Sequence, residues 1–100
     1  MPYRPFYLDY VRHALRFYTR NQHIVRFKSE VDRANWFACH EAFKDCTNIE
    51  RDILVTVYSG FDTLADNVFE AAKRFNVNQN TIWDKMKDFE RKVAQERKLI

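Results

Sequence analysis

Val68-Phe-Glu-Ala-Ala-Lys-Arg-Phe-Asn-Val77, then Asn78-Gln-Asn-Thr-Ile-Trp-Asp-Lys-Met-Lys87 and a charged continuation through Phe89 to Val93, decides the fold. The stretch reads as two helices joined by a tight turn. In the first helix Val68, Ala71, Ala72 and Phe75 fall at helical spacing and share one apolar face, and the two alanines let a second helix come close. Asn76 is one of the few non-glycine residues that tolerate the left-handed conformation needed at a sharp helix end. Val77 plugs the corner. Asn78 is a good helix N-cap, Thr81 is the third helical residue, and Ile82, Met86, Phe89 and Val93 form a second apolar stripe at spacings of four, three and four.

Outside this stretch, composition points the same way. The 100 residues contain one glycine and two prolines, both prolines within the first five positions, so turn formers are too scarce for a sheet. With 46% hydrophobic and 16% aromatic residues, the chain can bury one core. The expectation is all-α: a compact bundle of about five helices in a single domain, with residues 1–46 as an N-terminal helical part and 47–100 as the part carrying the two-helix motif. No apolar run is long enough to cross a bilayer and no secretion signal is evident, so a cytoplasmic protein without membrane contact is expected. Cys39 and Cys46 are seven residues apart. On a helix that is about 10 Å, too far for a disulfide.

Upstream, Pro5 to about Arg20 reads as the first helix. Leu8, Val11, Leu15 and Tyr18 trace its apolar face, which Phe6, Tyr7, Tyr10, Ala14 and Phe17 widen. So broad an aromatic face has to be buried in the core or against a partner, and a homodimer through this helix is one expectation. Arg12, Arg16 and Arg20 recur every four residues as a basic ridge. It is either a solvated helix face or a surface for phosphate or an acidic protein. Ser29 with Asp32 resembles a helix start, and the second helix is expected over Glu30 to Asp45 with Val31, Ala34, Trp36, Phe37, Ala38 and Phe43 as its apolar contacts. Thr47 with Glu50 is a capping box opening a third helix through Ile53, Leu54, Val57 and Tyr58, which Ser59-Gly60 ends. Thr63 and Asp66 repeat the pattern before the helix that carries Val68 to Phe75.

Charge is unevenly spread. Residues 1–28 carry six Lys and Arg against one Asp, residues 29–75 five against nine acids, and residues 76–100 six against four. Two basic ends around an acidic middle suit a polyanion partner without demanding one. Catalysis and metal binding have little support. His13, His23 and His40 are scattered, and Cys39, His40 and Cys46 lack the paired close spacings of a zinc site. No glycine-rich phosphate loop or paired acidic motif is present, and neither enzyme activity nor a cofactor is expected.

Taken together, Glu50-Arg51-Asp52-Ile53-Leu54, Ala71-Ala72, Phe75-Asn76-Val77-Asn78 and Thr81-Ile82 with Lys85-Met86 resemble region 4 of bacterial sigma-70-type factors and their helix-turn-helix relatives. That family shows Glu-Arg plus an apolar pair, a small alanine in the supporting helix, Leu-Gly-Val-Ser at the turn, and Thr-Val followed by a basic residue and leucine. The likeness covers about Glu50 to Arg97. Asn76 stands where the family has glycine, and the segment between Ile53-Leu54 and Ala72 is a few residues longer than usual. Nothing matches the sigma region that melts promoters, so the analogues would be small transcriptional regulators of phage or mobile-element type. The resemblance implies double-stranded DNA as partner, with RNA polymerase as a second candidate.

It also implies that the second helix of the motif enters the major groove. Asn78, Gln79 and Asn80 would form the amide-rich tip that pairs with adenine, with Lys87 reaching a guanine or phosphate. Trp83 would either pack on a thymine methyl or cover the edge of the core. Asp84 would pair with Lys87 or accept from a cytosine amine. Lys73, Arg74, Thr81, Lys85 and Arg91 are the candidate phosphate contacts, which set affinity and register rather than sequence choice. The alternative is a helical module that binds only protein.

Overall fold

A computed structural model describes residues 4–24 and 26–100. Five helices follow one another: α1 (Leu8–Arg20), α2 (Glu30–Phe43), α3 (Asn48–Ser59), α4 (Leu64–Phe75) and α5 (Gln79–Glu96). The starts of α2 to α5 are where the capping residues place them. Ser29 Oγ accepts the Asp32 N–H, Thr63 Oγ1 that of Asp66 and Asn78 Oδ1 that of Asn80. At α3 the capping box closes in both directions: Thr47 Oγ1 accepts from Glu50 N–H at 3.3 Å, and Glu50 Oε1 accepts from Thr47 N–H at 3.0 Å. These bonds, then Lys85, hold the Glu50 carboxyl below its ordinary value. Thr47→Ala should cost about 1 kcal/mol, read as a fall in melting temperature of about 4–8 °C.

Two helices are shorter than the sequence predicts. Pro5 to Tyr7 form a turn, with the Leu8 N–H donating to the Pro5 carbonyl, so α1 begins at Leu8. After Phe43 the Lys44 and Cys46 N–H groups bond back three residues, to Glu41 and Phe43, and this tighter winding ends α2 before Asp45.

Val11, Ala14, Leu15 and Tyr18 of α1 are buried, whereas Phe6 and Tyr10 of its aromatic face remain exposed, the Tyr10 hydroxyl donating to Asn35. Val31 and Phe37, predicted as core contacts of α2, are also exposed, because the buried face of that helix runs through Asn35, Trp36, Ala38, Cys39, Ala42 and Phe43. Tyr18 stacks on Phe43 at a centroid distance of 5.4 Å, Phe43 meets Phe89 at a tilt at 4.5 Å, and the three rings join α1, α2 and α5 into one core. Burial pushes the Cys39 thiol up to about 12, so this cysteine stays protonated.

The arginines of the α1 ridge bond within the fold, Arg12 and Arg16 partly buried and Arg20 exposed. Arg12 donates to Glu90 at 2.8 Å. Arg16 donates to the carbonyls of Gly60 and Asp62, and Arg20 to those of Ser59 and Gly60. These carbonyls lie at and just beyond the end of α3, where partial negative charge favours a cation. The four-residue recurrence therefore serves helix packing.

Candidate nucleic-acid interface

The α4–α5 corner is built by three residues. Asn76 takes the left-handed conformation, φ 54° and ψ 49°, and both its own N–H and that of Val77 return to the Ala72 carbonyl. Asn78 then caps α5. A residue that tolerates the left-handed conformation was the requirement here, and asparagine, whose short polar side chain offsets the β-carbon penalty, meets it in place of glycine.

On α5 the buried positions are Ile82, Met86, Phe89, Glu90, Val93 and Ala94. Turning away from them at spacings of four, three and four come Asn80, Asp84, Lys87 and Arg91, all exposed. Gln79 and Thr81 are exposed beside the helix start. The predicted tip and the Lys87 position thus share one outward row, and neither Lys87 nor Arg91 enters an ion pair among the described residues. Lys73 and Arg74 are exposed in the last turn of α4, close in sequence to the corner.

Three sequence candidates are placed differently. Asn78 spends its side-chain oxygen on the cap, at 2.7 Å from the Asn80 nitrogen, which leaves only its amide donors for a ligand. Trp83 is half-buried against the core, with the Arg12 guanidinium 5.9 Å from its ring centre, so it covers the core edge. Lys85 sits on the opposite flank and donates to Glu50 of α3 at 3.3 Å. Arg12, Arg16 and Arg20 lie apart from the row, engaged as described above.

Sequence reasoning missed a buried group on the flank of the row. Glu90 is 2% exposed, and one of its oxygens accepts both from Arg12 of α1 at 2.8 Å and from the Tyr58 hydroxyl of α3 at 2.7 Å. Burial, then the adjacent carboxylate, pushes the Tyr58 phenol well above its ordinary range and keeps it a donor. The signal was present: Glu90 stands four residues after Met86, on the side of the apolar stripe.

Among the described residues no three His, Cys, Asp or Glu side chains gather to hold a metal ion, and no helix is long and apolar enough to cross a membrane. Compared with family models, with curated proteins and with solved structures, the chain matches none.

Proposed function

We propose that this chain is a DNA-binding transcriptional regulator of the sigma region 4-like type, a binding protein rather than an enzyme, acting in the cytoplasm. The observation that carries the reading is the outward row Asn80, Asp84, Lys87 and Arg91, which starts at a capped helix N-terminus directly after a tight corner. A helix presented in this way fits the major groove with its first turns at the base edges. Gln79 and Asn80 supply amide donor-acceptor pairs suited to adenine, and Lys87 suits guanine O6 or N7. Lys73 and Arg74 flank the corner as phosphate contacts, with Arg91 further along the row. Lys85 serves the fold first, through Glu50.

Selection of bound sequences from a random duplex pool, followed by titration of the winning duplex, tests this. Asn80→Ala combined with Lys87→Ala should weaken binding to that duplex by roughly 100-fold, since each good base contact is worth about 1–3 kcal/mol. Both side chains are exposed, so the melting temperature should move by no more than about 2 °C. No enrichment from the pool at low salt would refute DNA binding.

One observation favours a second reading, a protein-interaction module that docks on RNA polymerase, an acidic regulator or another copy. Phe61 is 89% exposed in the α3–α4 loop, with the Arg20 guanidinium carbon 4.5 Å from its ring centre. An exposed aromatic side chain can serve as the anchor of a protein interface.

A further inference from the structure

A cleft of about 420 Å³ lies between α3, α4 and the chain following α1, and the α5 row takes no part in it. Its polar lining is Gln22, Arg51, Asp52, Thr56 and Arg74. The two arginines differ from those of α1, where Arg12 is neutralised by Glu90 and Arg16 and Arg20 are taken up by carbonyls. Arg51 donates one bond, to Gln22 Oε1 at 2.9 Å, and its guanidinium carbon lies 5.0 Å from the centre of the Phe43 ring. Arg74 rests 5.8 Å from the ring centre of Phe75 and has no hydrogen-bond acceptor among the described residues. Neither enters an ion pair among them.

Two guanidiniums without counter-ions therefore border one cleft, and one of them is half-buried and already oriented by a hydrogen bond and a ring. A half-buried cation favours a bound anion. A guanidinium fork whose rotamer is fixed in advance loses little entropy when a two-oxygen ligand arrives. The Thr56 hydroxyl already donates to the Asp52 carbonyl at 2.7 Å and the Gln22 amide to the Thr19 carbonyl at 3.3 Å, so the arginines are the charged donors the cleft offers an anion. We propose that this cleft is an oxyanion site that takes a phosphate group, with Arg51 as the oriented fork and Arg74 as the second cation. Phosphate suits the pair better than a carboxylate does, because its extra oxygens and second charge can serve two forks at once. Asp52, the carboxylate in the lining, opposes any anion and sets a limit on affinity. The phosphate can belong to a free phosphorylated compound or to a nucleic-acid backbone; because Arg74 also serves the DNA reading, Arg51 is the residue that distinguishes the cleft from it.

The full chain, labelled with nitrogen-15, can be titrated separately with inorganic phosphate and with a mixed-sequence DNA duplex, following the guanidinium Nε–H signals of Arg51 and Arg74. Saturable shifts of both signals are expected. Arg51→Ala should weaken the binding at least about tenfold, and Arg51→Lys, which keeps the charge but removes the fork, by several-fold. Asp52→Asn should strengthen it about two- to threefold, an outcome that a purely structural role for Arg51 would not produce. Response to duplex alone identifies a backbone phosphate, and response to inorganic phosphate identifies a free phosphorylated ligand. If neither probe shifts the arginine signals saturably, the site is refuted, and α5 signals that still move with duplex would leave the DNA reading standing. Conversely, a phosphate response in a protein that binds no duplex would uphold the cleft and remove the α5 reading.

Discussion

Glu90→Ala is expected to lower the melting temperature by at least about 12 °C. Removing one partner of a buried ion pair costs about 3–5 kcal/mol, and each kcal/mol moves a domain of this size by roughly 4–8 °C. The carboxylate is 2% exposed and receives both Arg12 and Tyr58, so its loss strands a largely covered guanidinium and a buried phenol together. Glu90→Gln should fall between wild type and alanine, since its amide oxygen can still accept from Tyr58 while the charge is gone. Replacing both ions with apolar residues, Arg12→Met with Glu90→Leu, should recover part of the loss, because neither charge is then left behind and only the Tyr58 hydroxyl still lacks its acceptor. Thermal unfolding of the four proteins checks this; a fall below about 3 °C for Glu90→Ala would show that water satisfies the site.

Gly60→Ala is the second large effect, and its origin is space rather than backbone freedom. Gly60 has φ −63° and ψ 149°, open to any residue. A β-carbon there would sit 2.6 Å from the amide atoms of Asn67. That amide cannot retreat cheaply, since it is buried and donates to the carbonyls of Val57 at 2.8 Å and Asp62 at 3.3 Å. Overpacking plus weakened buried hydrogen bonds gives an expected cost of about 2–4 kcal/mol, measurable by urea unfolding. Asn67→Ala removes the obstacle as well as the bonds, so Gly60→Ala added to it should cost little more. Simple additivity of the two would argue that Asn67 is not what excludes the methyl group.

Local chemistry was legible and partnership was not. The polar residues chosen as caps, Ser29, Thr47, Thr63 and Asn78, each accept the expected early N–H, and Asn76 turns left as its side chain allows. Such features depend on a few consecutive residues, which a sequence displays directly. The outward row of α5 follows equally from the spacing of Ile82, Met86, Phe89 and Val93. What covers a face depends on distant residues, and there the reading failed in both directions. Val31 and Phe37 look apolar enough to be buried and are not, while Arg12 and Arg16 look solvated and meet Glu90 and the Gly60 carbonyl. Arg51 shows the same limit, since its neighbours Gln22 and Arg74 are brought to it only by the fold.

The Glu90 junction also bears on how the chain can be made. Translation delivers α1 first and the anion that neutralises Arg12 last among the three helices it unites. Until α5 has been synthesised, α1 and α3 lack the acceptor that both need, and the ring of Phe43 lacks Phe89. A growing chain halted before Glu90 should therefore remain protease-sensitive on the ribosome, with folding completed in one late step rather than helix by helix.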